Sequence, residues 1–377
     1  MDELADAPLR VMHVIGGLGV GGAERMLERL VLAQRAQGLA EAIVVSLTDE
    51  GVIGARLRAQ GIEVQTLHMF GGARGMVTLP LVVARLARRM RAWRPDIVQT
   101  WLYHADMIGG AAALSAGHGK LVWGIHCTDP GPKAATRMVA RLCAWGSHRL
   151  PDSIVCCGHE PMRAHGDIGY DRGRMTVLHN GFDVSHFTPR AGAAHQGVRF
   201  VAIGRADPIK DYPTLLRAAA LVVRHVPDAH FVIVGRAVPQ QAAYRALIAE
   251  LGLQDRVDLR DQVEDVRSIL AESDVLCLSS LHEGLPNVIG EAMLMEVPCV
   301  VTDTGDCALM VGDTGEVAPV GDPQGLADAM MRVALLSPAE RARRGRAARR
   351  RIVQHFEIGQ IAKAYAAHYR AMFAKRA

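Results

Sequence analysis

No apolar run in the 377 residues is long enough to cross a bilayer, which takes roughly twenty residues. The longest uncharged small-apolar stretch, Met107 to Gly117, is short and rich in glycine, so no membrane span is expected. A basic and then apolar leader is missing too. The chain begins Met1-Asp2-Glu3-Leu4-Ala5-Asp6, acidic where a secretory signal is basic, and export is not expected. Cys-x-x-Cys pairs with zinc spacing are absent. The seven cysteines, an odd number, fall mostly inside apolar runs (Cys156, Cys157, Cys277, Cys299) and read as reduced core residues of a cytosolic protein. Nor does charge of one sign dominate: 43 Lys and Arg against 39 Asp and Glu identify no partner, and only local clusters count.

What is there is repetition. The chain is too long for one ordinary core and suggests about two domains. Arg10 to Ile15 reads as a strand, Gly16 to Gly22 as a loop, and Ala23 to Gln37 as an amphipathic helix ended by Gly38. Strands follow at 42–47, 63–67, 97–100, 121–125, 153–157 and 175–178, with helices at 52–60, 79–93, 105–115 and 134–146. Small and polar residues from Pro189 to Gly197 suit a linker. The alternation then restarts, with strands at 198–203, 229–234, 257–259, 275–278, 299–302 and 315–317. Helices are expected between them at 212–225, 240–251, 263–272, 287–295 and 323–336, with a last helix over 358–373. This pattern predicts an α/β protein of two Rossmann-like, doubly wound parallel-sheet domains facing a cleft. The expected boundaries are 1–189, 190–357, and a C-terminal helix over 358–377 that can pack back on the first domain.

Three strand-to-helix junctions carry chemistry. The first holds five glycines (Gly16, Gly17, Gly19, Gly21, Gly22), which let backbone amides approach an anion. Gly17-x-Gly19-x-x-Gly22 matches a dinucleotide fingerprint, yet no acid ends the second strand near Val45 to Leu47; a bare glycine turn is the plainer alternative. Arg205 and Lys210 leave a second junction together, where two cations can neutralise a diphosphate leaving group; alone they would read as solvated loop charges. At the third, Glu283-Gly284-Leu285-Pro286-Asn287 leads into a helix bearing Glu291. Its carboxylates suit sugar or ribose hydroxyls, and its amides lie at a helix start where anions are favoured.

Together these motifs resemble the family-4 retaining glycosyltransferases of the GT-B fold over nearly the whole chain. Gly-Gly-Ala-Glu at 21–24, Asn180-Gly181-Phe182-Asp183, Gly204-Arg205 with Lys210, Glu283 to Asn287 with Glu291-Ala292, and Gly312-Asp313-Thr314-Gly315 carry the resemblance. It implies that Arg205 and Lys210 bind the nucleotide diphosphate, Glu291 the ribose and Glu283 the transferred sugar. It further implies that His126, in Trp123-Gly124-Ile125-His126-Cys127, contacts the donor sugar near the reacting carbon, although a lone histidine is more often structural. Thr304-Gly305-Asp306 departs from the family pattern, and no Asp-x-Asp pair occurs to hold a metal: Asp303 is followed by Thr304 and Gly305. Metal-independent transfer without a cofactor is expected, the nucleotide sugar (uridine or guanosine diphosphate) being a substrate. A lipid-linked or cell-surface glycan precursor is the expected acceptor. An epimerase of the same fold and a catalytically silent glycan- or lipid-binding subunit are the alternatives.

Two basic segments remain. Arg85, Arg88, Arg89, Arg91 and Arg94 alternate with Leu81, Val82, Leu86, Met90 and Trp93, which suits a helix packed on its sheet or one resting on anionic lipid. Arg341 to Arg351 holds seven arginines without stacking aromatics; a solvated helix face fits it, and no nucleic acid partner is expected. The expected location is cytoplasmic, with the inner face of the cell membrane as a peripheral site.

Overall fold

A computed structural model of the chain describes residues 7–69, 72–117, 119–131, 133–189 and 196–374, without the side chains of 72–76. Met1 to Asp6 and linker residues 190–195 thus lie outside the described residues. The chain divides into two compact units, 1–181 with 358–377, and 182–357.

In the first unit the elements run β1 (Leu9–Ile15), α1 (Gly22–Ala36), β2 (Ala40–Ser46), α2 (Gly51–Ala59), β3 (Glu63–Thr66), α3 (Gly72–Trp93), β4 (Ile97–Trp101), α4 (Tyr103–Ala116), β5 (Lys120–Ile125), α5 (Ala134–Ser147), β6 (Ser153–Cys156), α6 (His159–Asp167) and β7 (Met175–Val177). Its seven strands are all parallel, in the order β3-β2-β1-β4-β5-β6-β7. Such strands are buried on both faces, which is why β1, β2, β4 and β5 are near-continuous apolar runs rather than alternating ones.

The second unit contains β8 (Val198–Ile203), α7 (Tyr212–His225), β9 (Ala229–Val234), α8 (Ala242–Glu250), β10 (Val257–Arg260), α9 (Val266–Ala271), β11 (Val275–Leu278), α10 (Asn287–Leu294), β12 (Cys299–Thr302), α11 (Cys307–Val311), β13 (Glu316–Ala318), α12 (Pro323–Ala334) and α13 (Pro338–His355). Six parallel strands order as β10-β9-β8-β11-β12-β13. The chain then returns to the first unit as α14 (Ile358–Ala374). Ile361, Ala362, Tyr365 and Tyr369 of α14 join the core that α1 and α2 form on one face of the first sheet, and Tyr369 donates to buried Gln99 at 3.1 Å. On the opposite face α3, α4 and α5 bury a second core.

Both sheets reverse winding direction at one place, between β1 and β4 in the first and between β8 and β11 in the second. Open α/β sheets bind ligands beyond the carboxyl ends of their strands at this switch point. The glycine loop follows β1, and the Arg205–Lys210 and Glu283 loops follow β8 and β11.

The remaining differences from the sequence reading are local. Helix α3 starts at Gly72 rather than Leu79 and runs through Pro80, which forgoes one backbone hydrogen bond. Helix α9 starts at Val266, not 263, because the Asp265 side chain accepts from the Arg267 amide at 2.9 Å and caps it. Helices α6, α11 and α13 were not delimited from sequence. For α13 the signal existed: Ser337 and Glu340 form a reciprocal capping box with Pro338 at the first turn. In α3, Val82, Leu86 and Met90 are buried in the core and the Arg10 guanidinium lies 4.6 Å over the Trp93 ring, so most of its apolar stripe packs on the sheet while Leu81 stays exposed.

Helix α13 packs so closely on the turn after α10 that a Cβ on Gly345 would lie 1.8 Å from the Glu296 carbonyl oxygen. Backbone cannot yield as a side chain can. Gly345→Ala should therefore destabilise the second unit by about 1–3 kcal/mol, although Ala is the better helix former. A urea midpoint equal to or above the parent's would contradict this packing.

Candidate active site

In the second unit, Arg205 and Lys210 occupy a tight turn after β8. Asp207 builds that turn: its side chain accepts from the Ile209 amide at 3.1 Å and from Arg205 Nε at 2.8 Å. Burial pushes the Asp207 carboxyl up, and the Ile209 amide and Arg205 guanidinium more than offset this, holding it below the usual carboxylate range. Asp211, in the left-handed region (φ 45°), ends the turn and caps α7 through the Thr214 amide at 3.3 Å. Arg205 remains more than half exposed, whereas Lys210 is mostly covered.

The loop after β11 meets this turn directly. Lys210 Nζ lies 2.5 Å from Glu283 Oε1, which also accepts from Ser280 Oγ at 2.6 Å. Backbone bonds fix the two loops in register: the Leu281 amide donates to the Ile209 carbonyl at 2.7 Å, and Ser279 Oγ to the Lys210 carbonyl at 2.7 Å. Sequence reading named Lys210 and Glu283 for separate roles; the structure joins them. Ser279 and Ser280 were not assigned roles, although they stand directly after the apolar strand, where a parallel sheet delivers side chains to its ligand edge.

Behind Glu283 lies the Thr304–Asp306 loop. Thr304 Oγ1 donates to the Leu281 carbonyl at 3.0 Å and the Asp306 amide to the Gly284 carbonyl at 2.9 Å. Gly305 has φ +56°, and a Cβ there would stand 2.4 Å from the Glu283 carbonyl oxygen. The departure from the family pattern at 304–306 is thus a buttress for the glutamate loop. Gly284 and Leu285 complete that loop, Pro286 is the N-cap residue of α10 and Asn287 its first residue. Glu291, one turn in, is buried at 3% exposure, on the same helix that brings Gly290 against the Phe182 ring.

In the first unit, the glycine loop closes on the β2–α2 connection. Thr48 Oγ1 donates to the Gly16 carbonyl at 2.9 Å and the Ile53 amide to the Leu18 carbonyl at 3.0 Å, with Leu18 fully buried. The five glycines are not equivalent. Cβ positions at Gly16 and Gly19 meet nothing within 4 Å, whereas one at Gly17 would touch Thr48 Oγ1 at 3.0 Å and one at Gly21 the Glu24 carboxylate at 2.3 Å. Gly22 begins α1, and Gly21 caps it without a side chain. The Glu24 carboxylate stands at that helix start, and burial raises its pKa.

His126 follows β5 directly. Its ring stacks on Trp101 with centroids 4.5 Å apart, and Trp101 in turn donates to His13 Nδ1 at 3.2 Å. Trp101 and His13 are fully buried at the carboxyl end of β4 and within β1. Burial pulls the His126 imidazole down to about 4, only partly offset by Asn180, and burial pulls His13 down to about 3. Sequence reasoning missed His13 and Trp101, whose apolar surroundings make them look like ordinary core. Among the described residues, no group of three or more His, Cys, Asp or Glu could hold a metal ion.

Two parallel α/β sheets with charged loops at the switch point of the second define a Rossmann-type, GT-B-like protein. Residues 20–186 match the family described as Glycosyltransferase Family 4 and residues 197–335 that described as Glycosyl transferases group 1. The chain belongs to this glycosyltransferase family. It is 32% identical to the MMP alpha-(1->4)-mannosyltransferase of Mycolicibacterium hassiacum over 61% of its own length and 56% of that protein's. To the UDP-Gal:alpha-D-GlcNAc-diphosphoundecaprenol alpha-1,3-galactosyltransferase of Escherichia coli it is 24% identical, over 66% of its own length and 68% of the relative's. It therefore spans little more than half of the first relative and two thirds of the second. Its fold matches that of the Anabaena protein HepE, crystallised with UDP, at a TM-score of 0.81 and 20% identity, covering 96% of this chain and all of the other.

A depressed imidazole keeps His126 neutral across the physiological range. Its Cε1 proton resonance should show no titration between about pH 5.5 and 8, since the midpoint is near 4. A midpoint above 6 would show the ring to be solvated or paired with a carboxylate.

Proposed function

We propose that the protein transfers a sugar from a uridine or guanosine diphosphate sugar to an acceptor, with retention of anomeric configuration. The observation that carries this reading is the Lys210–Glu283 contact beside Arg205 at the switch point of the second sheet. An ammonium has three N–H donors, and Glu283 uses one; Lys210 is thereby aimed while retaining capacity for a diphosphate oxygen. Arg205, held by Asp207, supplies a second cation from the same turn. Charge that builds on the leaving diphosphate is then met by groups already in place, the term that usually dominates catalysis.

Glu283 is assigned to the hydroxyls of the transferred sugar and Glu291 to the ribose. The amides of Leu285 and Asn287 at the start of α10 favour the phosphates, with Gly284 allowing close approach and Pro286 lacking a donor. His126, neutral at pH 7, is assigned to the sugar near the reacting carbon, and the backbone at Gly16 and Gly19 to further donor contact. No side chain is assigned as a covalent nucleophile. The acceptor hydroxyl attacks the face that the diphosphate leaves, its proton passing to the departing phosphate oxygen, and Arg205 and Lys210 supply the charge a metal would. A lipid-linked or cell-surface polysaccharide or lipopolysaccharide precursor is the proposed acceptor, met by the first unit. Supporting it, the Escherichia coli relative is named for a diphosphoundecaprenol-linked sugar, and one in Rhizobium meliloti, 25% identical over 83% of this chain, for lipopolysaccharide core biosynthesis.

Release of uridine or guanosine diphosphate from a panel of nucleotide sugars, with membrane lipid extract as acceptor and excess chelator, tests this. Lys210→Ala and Glu283→Ala should each lower kcat by about 10²–10³-fold, and Glu291→Ala should act mainly on donor KM. Near-parental rates in the first two, equilibration of a nucleotide sugar with its epimer instead of transfer, or no release from any donor would overturn the proposal.

A further inference from the structure

Helices α3, α4 and α5 cover one face of the first sheet, with α4 between the other two. Their inner sides fill the core, yet their outer sides are not the mixed-charge surface of an ordinary soluble helix. Val77 and Leu81 of α3, Leu114 of α4, and Met138, Leu142 and Trp145 of α5 are all exposed. These are six of the thirteen exposed large apolar side chains among the described residues, gathered on three helices. Trp145, at 74% exposure, is the most out of place, since a tryptophan rarely leaves so much ring in water without a use for it.

Charge on these helices is equally one-sided. Helices of 22, 14 and 14 residues hold a single acid, Asp106, and it is fully buried, in a chain with 39 acidic residues. Met138, Leu142 and Trp145 recur at helical spacing on α5, and exposed Arg137 and Arg141 sit one position before the first two. On α3, Arg85 and Arg88 are exposed below Leu81, while Arg89 and Arg91 bond to the Thr66 and Ser115 carbonyls. An apolar stripe ending in tryptophan, flanked by arginines and free of exposed acid, matches the boundary between anionic headgroups and acyl chains.

The arginine-rich α13 lacks this character. Arg341 and Arg349 donate to main-chain carbonyls of Ala334, Leu336, Phe187 and Leu294, Arg351 to those of Leu309 and Met310, and Arg344 pairs with Glu316. Most of its charge is internal stapling, and no exposed apolar stripe accompanies it.

We infer that the α3–α5 face of the first unit docks on an anionic lipid surface, Met138, Leu142 and Trp145 entering the headgroup boundary and Arg137, Arg141, Arg85 and Arg88 meeting lipid phosphates. The inference stands on this surface alone and holds whichever sugar is transferred.

Flotation of the full chain with vesicles of phosphatidylcholine, with and without phosphatidylglycerol, tests it. The parent should float only with phosphatidylglycerol, with a blue shift of tryptophan emission, and binding should weaken as salt rises. Leu142→Glu with Trp145→Glu, and separately Arg137→Glu with Arg141→Glu, should each lower the partition coefficient at least about tenfold. All four positions are exposed, so circular dichroism and melting should match the parent's, and each pair checks the other should one misfold. Arg343→Glu with Arg350→Glu on α13 should leave binding unchanged. Indifference to phosphatidylglycerol, parental binding by the α5 variants, or loss of binding in the α13 variant would overturn the inference. So would a parent dimer that the α5 variants dissociate, which would make this face a self-interface.

Discussion

Lys210 and Glu283 stand 73 positions apart in the chain and 2.5 Å apart in space. Their contact exists because β8 and β11 are neighbours at the point where the second sheet reverses its winding, so the loops leaving those strands must meet. A largely covered ion pair is costly to desolvate, and it persists where further hydrogen bonds satisfy both members. Ser280 supplies one of these, and the Leu281–Ile209 and Ser279–Lys210 bonds hold the two loops at the separation the pair requires. The rest of the site follows from that join: Asp207 aims Arg205, the 304–306 loop backs Glu283, and α10 begins where the glutamate loop ends.

Close backbone approach is the second constraint. Gly235 lets one strand-end loop pass another, a Cβ there falling 1.8 Å from the Gly204 carbonyl oxygen, and Gly305 does the same against Glu283. These glycines do not touch a ligand in any role assigned to them. They set the spacing of the loops that carry Arg205, Lys210 and Glu283, as Trp101, itself bonded to His13, sets the plane of the His126 ring.

The two arginine-rich stretches use their guanidinium groups differently, and burial separates them. On α13 guanidinium groups turn inward to main-chain carbonyls at helix ends and turns, where a planar five-donor fork satisfies acceptors that water would otherwise serve. On α5 and the exposed part of α3 they remain in solvent beside exposed apolar side chains. Arginine-rich sequence looks the same in both places.

Strand and helix order, the restart of the pattern near residue 198, and the strand-to-helix placement of Arg205, Lys210, Glu283 and Glu291 were legible in the sequence. Parallel strands bury both faces and so announce themselves as apolar runs, and the motif residues follow those runs directly. Helix α6 was missed because its nine residues carry Pro161 and Gly166 and few apolar positions. What only the tertiary structure decided was pairing: that Lys210 meets Glu283, that Thr48 closes on the glycine loop, and that Trp101 carries His126. Sequence periodicity records which side of an element is buried, a local property repeated every few residues. Strand order and the contacts it creates are set by how whole elements pack, and no spacing along the chain encodes them.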